Sequence, residues 1–145
     1  MKPLPHIARE PETEAEWFQA LIDLARFLRT PEGCPWDQKQ TALSFAKFLR
    51  EEADELVESF GNDNDHIEEE LGDCLFTLLA SAAAAESEGR FTLERALQRA
   101  HEKMIRRHEH VFGDTKAATP QDAVDSWNRI KAEEKARKQQ AQQQQ

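Results

Sequence analysis

An all-α fold of four to five helices follows from three features of the sequence. The 145 residues include only 5 Gly and no Tyr, and β-branched residues are few. Long stretches are built from Ala, Leu, Glu, Lys, Arg and Gln, the mixture that favours helix most strongly. Apolar residues recur at intervals of three and four, and start signals precede several of these runs. A chain of this length suits one domain of the usual size, roughly 100 to 150 residues.

Residues 1–12 read as an extended, flexible arm punctuated by Pro3, Pro5 and Pro11. Thr13 with Glu16 forms a capping-box pattern that starts the first helix, with Trp17, Leu21, Leu24, Ala25 and Leu28 on its buried face. That helix ends near Thr30-Pro31. Two prolines and a glycine make the segment from Pro31 to Asp37 a structured loop rather than a helix. Its Trp36 is either a plug in the core or a surface on which a ring stacks.

The second helix is expected over about 43–60. At about 100° per residue, Phe45, Phe48, Leu49, Ala53, Leu56, Val57 and Phe60 fill one broad arc, and Glu52 falls inside it. Glu55 lies at the border, and Glu51 points further toward solvent. A carboxylate inside an apolar arc is expensive unless a cation or hydrogen bonds satisfy it. The other reading, that Glu52 flanks the core and ends in water, stays open on this helix alone.

After a turn at residues 61–65, the third helix is expected from His66 or Ile67 to Ser87. From Leu71 to Ala85 it is apolar nearly all round, the mark of a helix buried on most sides, and Asp73 is the only charge in that run. A buried arginine partner is the alternative explanation for Asp73. The second helix offers only Lys47 and Arg50, and Arg50 projects away from the apolar arc. Helical residues three apart share a face, so Glu52 with Glu55, and Glu70 with Asp73, make two carboxylate pincers. Facing each other, they would bind hard divalent cations through oxygen.

Residues 88–91 break the chain, and Thr92 is an N-cap for a fourth helix with Leu93, Ala96, Leu97, Ala100, Met104 and Ile105 as its stripe. Charge reverses here. Residues 90–107 hold Arg90, Arg95, Arg99, Lys103, Arg106 and Arg107 against Glu94 and Glu102, six minus two, or +4. Such a segment is either a solvated face or a holder of the outer phosphates of a metal-bound substrate. His108 and His110 read as capping and packing groups rather than metal ligands. Thr119 with Pro120 starts a last helix that Trp127 and Ile130 anchor. Residues 13–134 form the expected domain, and the Gln-rich 135–145 a disordered tail.

The net charge of −9 argues against nucleic-acid polymers and anionic membranes as partners. It leaves room for a phosphorylated small molecule, because metal ions invert the local charge. Cys34 and Cys74 stand in no zinc or redox spacing. With no signal-like or membrane-spanning run, a reduced cytoplasmic location is expected.

These blocks resemble the MazG family of nucleoside triphosphate pyrophosphohydrolases. The pattern Glu-Glu-x-x-Glu, a spacer, then Glu-x-x-Asp appears as Glu51-Glu52-Ala53-Asp54-Glu55 and Glu70-Leu71-Gly72-Asp73. Cys34-Pro35-Trp36-Asp37 with Gln40-Thr41, Glu88-Gly89-Arg90-Phe91, the run from Lys103 to Phe112, and Trp127-Asn128-Arg129-Ile130-Lys131 extend the likeness over about residues 17–135. The resemblance implies a homo-oligomeric, all-α enzyme, a dimer or tetramer, that hydrolyses nucleoside triphosphates to monophosphate and pyrophosphate and clears the nucleotide pool. It implies Glu52, Glu55, Glu70 and Asp73 as ligands of Mg²⁺, with Mn²⁺ an alternative, and Glu51 as the acid that orients or deprotonates the attacking water. Two departures stand out. Glu109 replaces the proline of many relatives, and the domain occurs once where some relatives carry two.

Physics supports the same reading. A nucleoside triphosphate and four carboxylates repel each other, so divalent ions must bridge them, activate the water and stabilise the departing pyrophosphate. Arg90, Lys103, Arg106 and Arg107 would neutralise that leaving group, and Trp36 is a base-contact surface. Two rivals are weighed against this. A non-catalytic helical interaction module with a vestigial acidic site predicts no metal binding. A di-iron carboxylate bundle needs Glu-x-x-His pairs, which the chain lacks.

Overall fold

The computed structural model describes residues 4–144, so residues 1–3 of the expected arm and residue 145 of the expected tail lie outside the described residues. Those described form seven helices and no strand: α1 (Glu14–Phe27), α2 (Pro35–Lys39), α3 (Ala42–Ser59), α4 (Asn64–Ser87), α5 (Leu93–Arg107), α6 (Glu109–Phe112) and α7 (Pro120–Gln143). The five longer ones are the expected helices. No helix among the described residues is long and apolar enough to cross a membrane. The chain divides into two compact units, the first ending at Leu93 and the second beginning at Glu94.

In the first unit α4 packs against both α1 and α3. Its run of small residues permits this: Ala84 and Ala85 are 0% exposed, and without bulk between them the helix backbones approach closely. Ile22 and Ala25 of α1 meet Leu79 and Ala83 of α4. Phe45 of α3 meets Ala80 and Ala84, and Ser81 Oγ donates to the Ala42 carbonyl at 2.8 Å across the same contact. Arg26 of α1 makes two hydrogen bonds of 3.0 and 3.1 Å to Glu86 of α4. Glu86 also accepts the Leu93 N–H, and the Arg26 guanidinium holds its carboxyl below the usual carboxylate range. Because both partners are partly exposed, this pair orients the helix ends more than it stabilises them.

Several sequence expectations need correction. The arm is tied down where it is described: Arg9 pairs with Glu16, the Glu12 N–H donates to Glu16, and Pro11 is buried. The segment expected as loop contains α2, because Pro35 occupies its N1 position, where the missing N–H is an orphan in any helix. Trp17 is 54% exposed, and Ile22 takes the buried position on α1 instead. α4 starts earlier than expected, since Asp63 caps the His66 N–H at 2.9 Å. It is not buried on most sides within this chain: Leu71, Leu75 and Leu78 are exposed.

In the second unit α6 packs on α7, and Ile130 is the buried anchor. The helix that begins at Pro120 does not stop at Glu134. It runs on to Gln143 because Lys, Arg, Ala and Gln are strong helix formers even when they bury nothing. His108 leaves helical geometry (φ −101°, ψ 40°), separating α5 from α6. That break brings the His108 and His110 rings to 5.4 Å, which a continuous helix would not do. Both rings serve packing, as expected, with His108 edge-on to Trp127 at 5.4 Å.

Candidate functional site

α3 and α4 form a helical hairpin, and burial along each identifies the line on which they meet. On α3 the line runs Phe45, Phe48, Glu52, Leu56, Ser59, all buried or half-buried, at spacings of three and four. The arc is narrower than the sequence suggests, since Val57 and Phe60 are exposed. Glu52 therefore sits at its middle. On α4 the line runs Ile67, Glu70, Cys74, Thr77, Ser81.

One carboxylate oxygen each from Glu52, Glu55 and Glu70 lies within 4.8 Å of the other two. Glu52 Oε2 and Glu70 Oε2 are shielded from solvent and have no hydrogen-bond partner. No arginine or lysine forms an ion pair with this group among the described residues; its one basic neighbour is His66, 3.9 Å from Glu70. Burial pushes the Glu52 carboxyl above the usual range, and the charges of Glu55, Asp73 and Glu70 push the same way. The Glu70 carboxyl is raised by burial first, then by Glu55 and Asp73. Burial and the same four carboxylates raise the Cys74 thiol. Two solvent-shielded oxygens without a donor, in a set of hard oxygen ligands, fit a divalent cation.

The candidate residues divide as follows. Glu52, Glu55 and Glu70 are brought together. Asp73 is exposed and stands outside that triad, yet close enough to act on Glu52 and Glu70 through its charge. The weight that the sequence places on Asp73 thus moves to Glu70, because the apolar run around Asp73 does not show which of its faces is covered. Glu51 is exposed, also outside the triad. Trp36 lies on the aromatic pair of α3, 5.9 Å from Phe45 and 5.6 Å from Phe48, with 53% of its surface open. It is a lid on that pair rather than a core plug. Phe48 is about one helical turn before Glu52 on the same line of α3, so the residues that carry the ring and the first carboxylate are neighbours along the helix. Arg90 is exposed, 3.5 Å from Glu88.

In the second unit, Lys103 is exposed on α5, while Arg106 and Arg107 both donate to Glu134 of α7. Arg107 also lies over the Trp127 ring, 5.1 Å from its centroid. Glu109, at the start of α6, accepts from Arg129 at 2.6 Å. Glu134, which the sequence places at the last position of the domain, is given no role there; its partners Arg106 and Arg107 lie 28 and 27 residues away, so no local spacing signals the pairing.

Comparison with known proteins follows the same lines. A profile of the MazG nucleotide pyrophosphohydrolase domain matches residues 40–112, the stretch that contains α3, α4, α5 and α6. The nucleoside triphosphate pyrophosphohydrolase/pyrophosphatase MazG of Thermotoga maritima is 43% identical over 122 residues, 83% of this chain and 46% of that protein. The uncharacterized protein YabN of Bacillus subtilis is 44% identical over 119 residues, 81% of this chain and 24% of its own length. The Escherichia coli K12 nucleoside triphosphate pyrophosphohydrolase is 38% identical, over 81% of this chain and 46% of that protein. The chain thus spans less than half the length of these curated relatives. The crystal structure of a MazG-related protein from Thermotoga maritima superposes with a TM-score of 0.67 at 30% identity, covering 81% of this chain and 98% of that one. Matching profile, sequence and fold together, the chain belongs to the MazG nucleotide pyrophosphohydrolase domain family.

Proposed function

We propose that this chain hydrolyses nucleoside triphosphates to nucleoside monophosphate and pyrophosphate in a Mg²⁺-dependent reaction that clears the nucleotide pool. The observation that carries the reading is the pair of shielded, unpartnered oxygens, Glu52 Oε2 and Glu70 Oε2, inside a triad of carboxylates. Left empty of cations such a group is costly, and a positively charged occupant relieves that cost. Glu52, Glu55 and Glu70 are the principal ligands in this proposal, and Asp73 supports them electrostatically or completes the set. A divalent ion there supplies the positive charge that lets a polyanionic substrate approach four carboxylates.

The remaining roles belong to the chain's own groups. Glu51, exposed beside Glu52, accepts a proton from the water that attacks the α-phosphorus, assisted by Glu52. A bond forms between that water oxygen and phosphorus, and the bridge to the β-phosphate breaks. The open face of Trp36 stacks on the base. Arg90, Lys103, Arg106 and Arg107 offset the charge of the departing pyrophosphate. The free thiols of Cys34 and Cys74 suit a reducing cytoplasm.

The direct test is a panel of nucleoside di- and triphosphates with Mg²⁺, with products separated. Monophosphate and pyrophosphate are expected from triphosphates. Orthophosphate as the first product contradicts attack at the α-phosphorus, and no turnover with any substrate favours the vestigial-site reading.

We further propose that the chain works as a homo-oligomer, most simply a dimer. Leu71, Leu75 and Leu78 stand at i, i+4 and i+7 on α4 and are exposed, a single apolar face of the kind a partner helix covers. Light scattering on the purified chain should give a mass of at least two copies; a monomer at micromolar concentration rules this out.

A further inference from the structure

The two carboxylate oxygens of Glu70 lie in different settings. Oε2 is shielded from solvent and has no hydrogen-bond partner. Oε1 lies 3.9 Å from Nε2 of His66, about one turn earlier on α4, and the side chains of His66 and Glu70 are 44% and 13% exposed. A modest rotation of the exposed ring closes that 3.9 Å to hydrogen-bond range. Among the described residues His66 is the basic side chain that pairs with the triad, since no lysine or arginine forms an ion pair with it.

Helix stability does not account for a histidine at this position. Asp63 caps α4 and accepts from the His66 N–H at 2.9 Å, which makes His66 the third residue of the helix. That position favours Glu or Gln, whose side chain returns to the cap N–H, and the positive end of the helix dipole disfavours a cation there. In this i, i+4 pair the base also precedes the acid, the weaker of the two orders. What the position supplies is reach. Residues four apart share a helical face, so the imidazole borders the outer side of Glu70 while Asp63 pins its backbone. A carboxylate free to turn about its last bond can present either oxygen to the triad. A ring N–H held against Oε1 removes that freedom, and hydrogen-bond partners placed behind metal ligands in this way fix their orientation and raise metal affinity. The neutral imidazole with its proton on Nε2 is donor enough, so the arrangement does not depend on charging the ring.

We propose that His66 is a positioning residue of the carboxylate centre: its Nε2–H engages Glu70 Oε1 and leaves Oε2 as the oxygen offered, with Glu52 and Glu55, to a divalent ion. The inference rests on the metal-dependent reading of the triad and adds to it the group that orders one ligand before any nucleotide arrives.

The test is Mn²⁺ binding to the full chain without substrate, followed by loss of the free-ion signal in electron paramagnetic resonance. His66→Ala and His66→Phe, the second of which keeps a ring but no donor, should each weaken Mn²⁺ binding about tenfold or more. His66→Gln keeps an N–H on a side chain of comparable reach and should bind within about threefold of the parent. His101→Ala, a control at an exposed histidine of α5, should bind as the parent does. Melting temperatures in EDTA should stay near the parent's in every variant. Parent-like affinity in His66→Ala or His66→Phe overturns the proposal, and so does a loss in His66→Gln as large as in His66→Ala. A melting temperature in EDTA that falls in step with affinity assigns His66 to the helix alone and overturns it too. If the parent binds Mn²⁺, Glu52→Gln abolishes that binding and the His66 variants do not change it, this inference fails and the metal-dependent reading stands. A parent that does not bind Mn²⁺ overturns both.

Discussion

Replacing Glu52 by Gln is expected to lower Mg²⁺-dependent pyrophosphate release by about a hundredfold or more. Glu52 occupies the middle of the line on which α3 meets α4, and one of its oxygens has neither solvent nor a donor. The amide keeps the shape and removes the charge, so the fold should survive. The metal-free variant should be at least as stable as the parent, because burial, and then the charges of Glu55, Asp73 and Glu70, all oppose ionisation of Glu52. Mg²⁺ should raise the melting temperature of the parent and do so much less in the variant. Asp73→Asn should cost less than Glu52→Gln or Glu70→Gln, since Asp73 is exposed and acts from outside the triad. Near-normal turnover in the Glu52 variant sinks the assignment, and an Asp73 effect as large as that of Glu70 returns Asp73 to the inner ligand set.

The second large effect is expected outside the carboxylate triad. A Cβ at Gly33 would lie well inside van der Waals contact of the Leu28 carbonyl and the Phe27 oxygen, all of them backbone. The Gly33 N–H donates to the Thr30 carbonyl at 2.9 Å and the Cys34 N–H to that of Leu28 at 2.8 Å, so the end of α1 and the start of α2 are locked together. Arg29 reinforces the lock by donating to the Asp37 carbonyl at 2.7 Å. Gly33→Ala must therefore move backbone rather than a flexible side chain, and should cost about 1–3 kcal/mol, the usual range for forcing extra volume into a packed site. The shift carries α2 and Trp36 with it. If the ring stacks on the base, KM should rise more than kcat falls. Scanning calorimetry and steady-state kinetics check both parts, and a melting temperature within a degree of the parent contradicts the steric argument.

Much of this architecture is written in local sequence. Thr13 and Thr119 cap α1 and α7 as their neighbours suggest, and the helical wheel places Glu52 among apolar residues where it is found. What the sequence conceals is decided by packing. An apolar run does not declare which of its sides meets a neighbour, so the sequence singles out Asp73 although the shielded, unpartnered oxygen on α4 belongs to Glu70. Two prolines around a glycine look like a loop, although the second of them starts a helical turn. Residues 135–143 have nothing to bury, which predicts a disordered tail; their helical continuation puts Arg137 and Lys138 opposite α5. No pattern within either segment alone signals that meeting.

The hairpin of α3 and α4 has a consequence for how the molecule is made. All four carboxylates lie between residues 52 and 73, joined by one short turn. Closing so small a loop costs little chain entropy, and contacts of such short sequence separation form rapidly. During synthesis the acidic centre can assemble while the second unit is still being translated. A divalent ion captured at that moment would stabilise the nascent hairpin against the mutual repulsion of its own ligands.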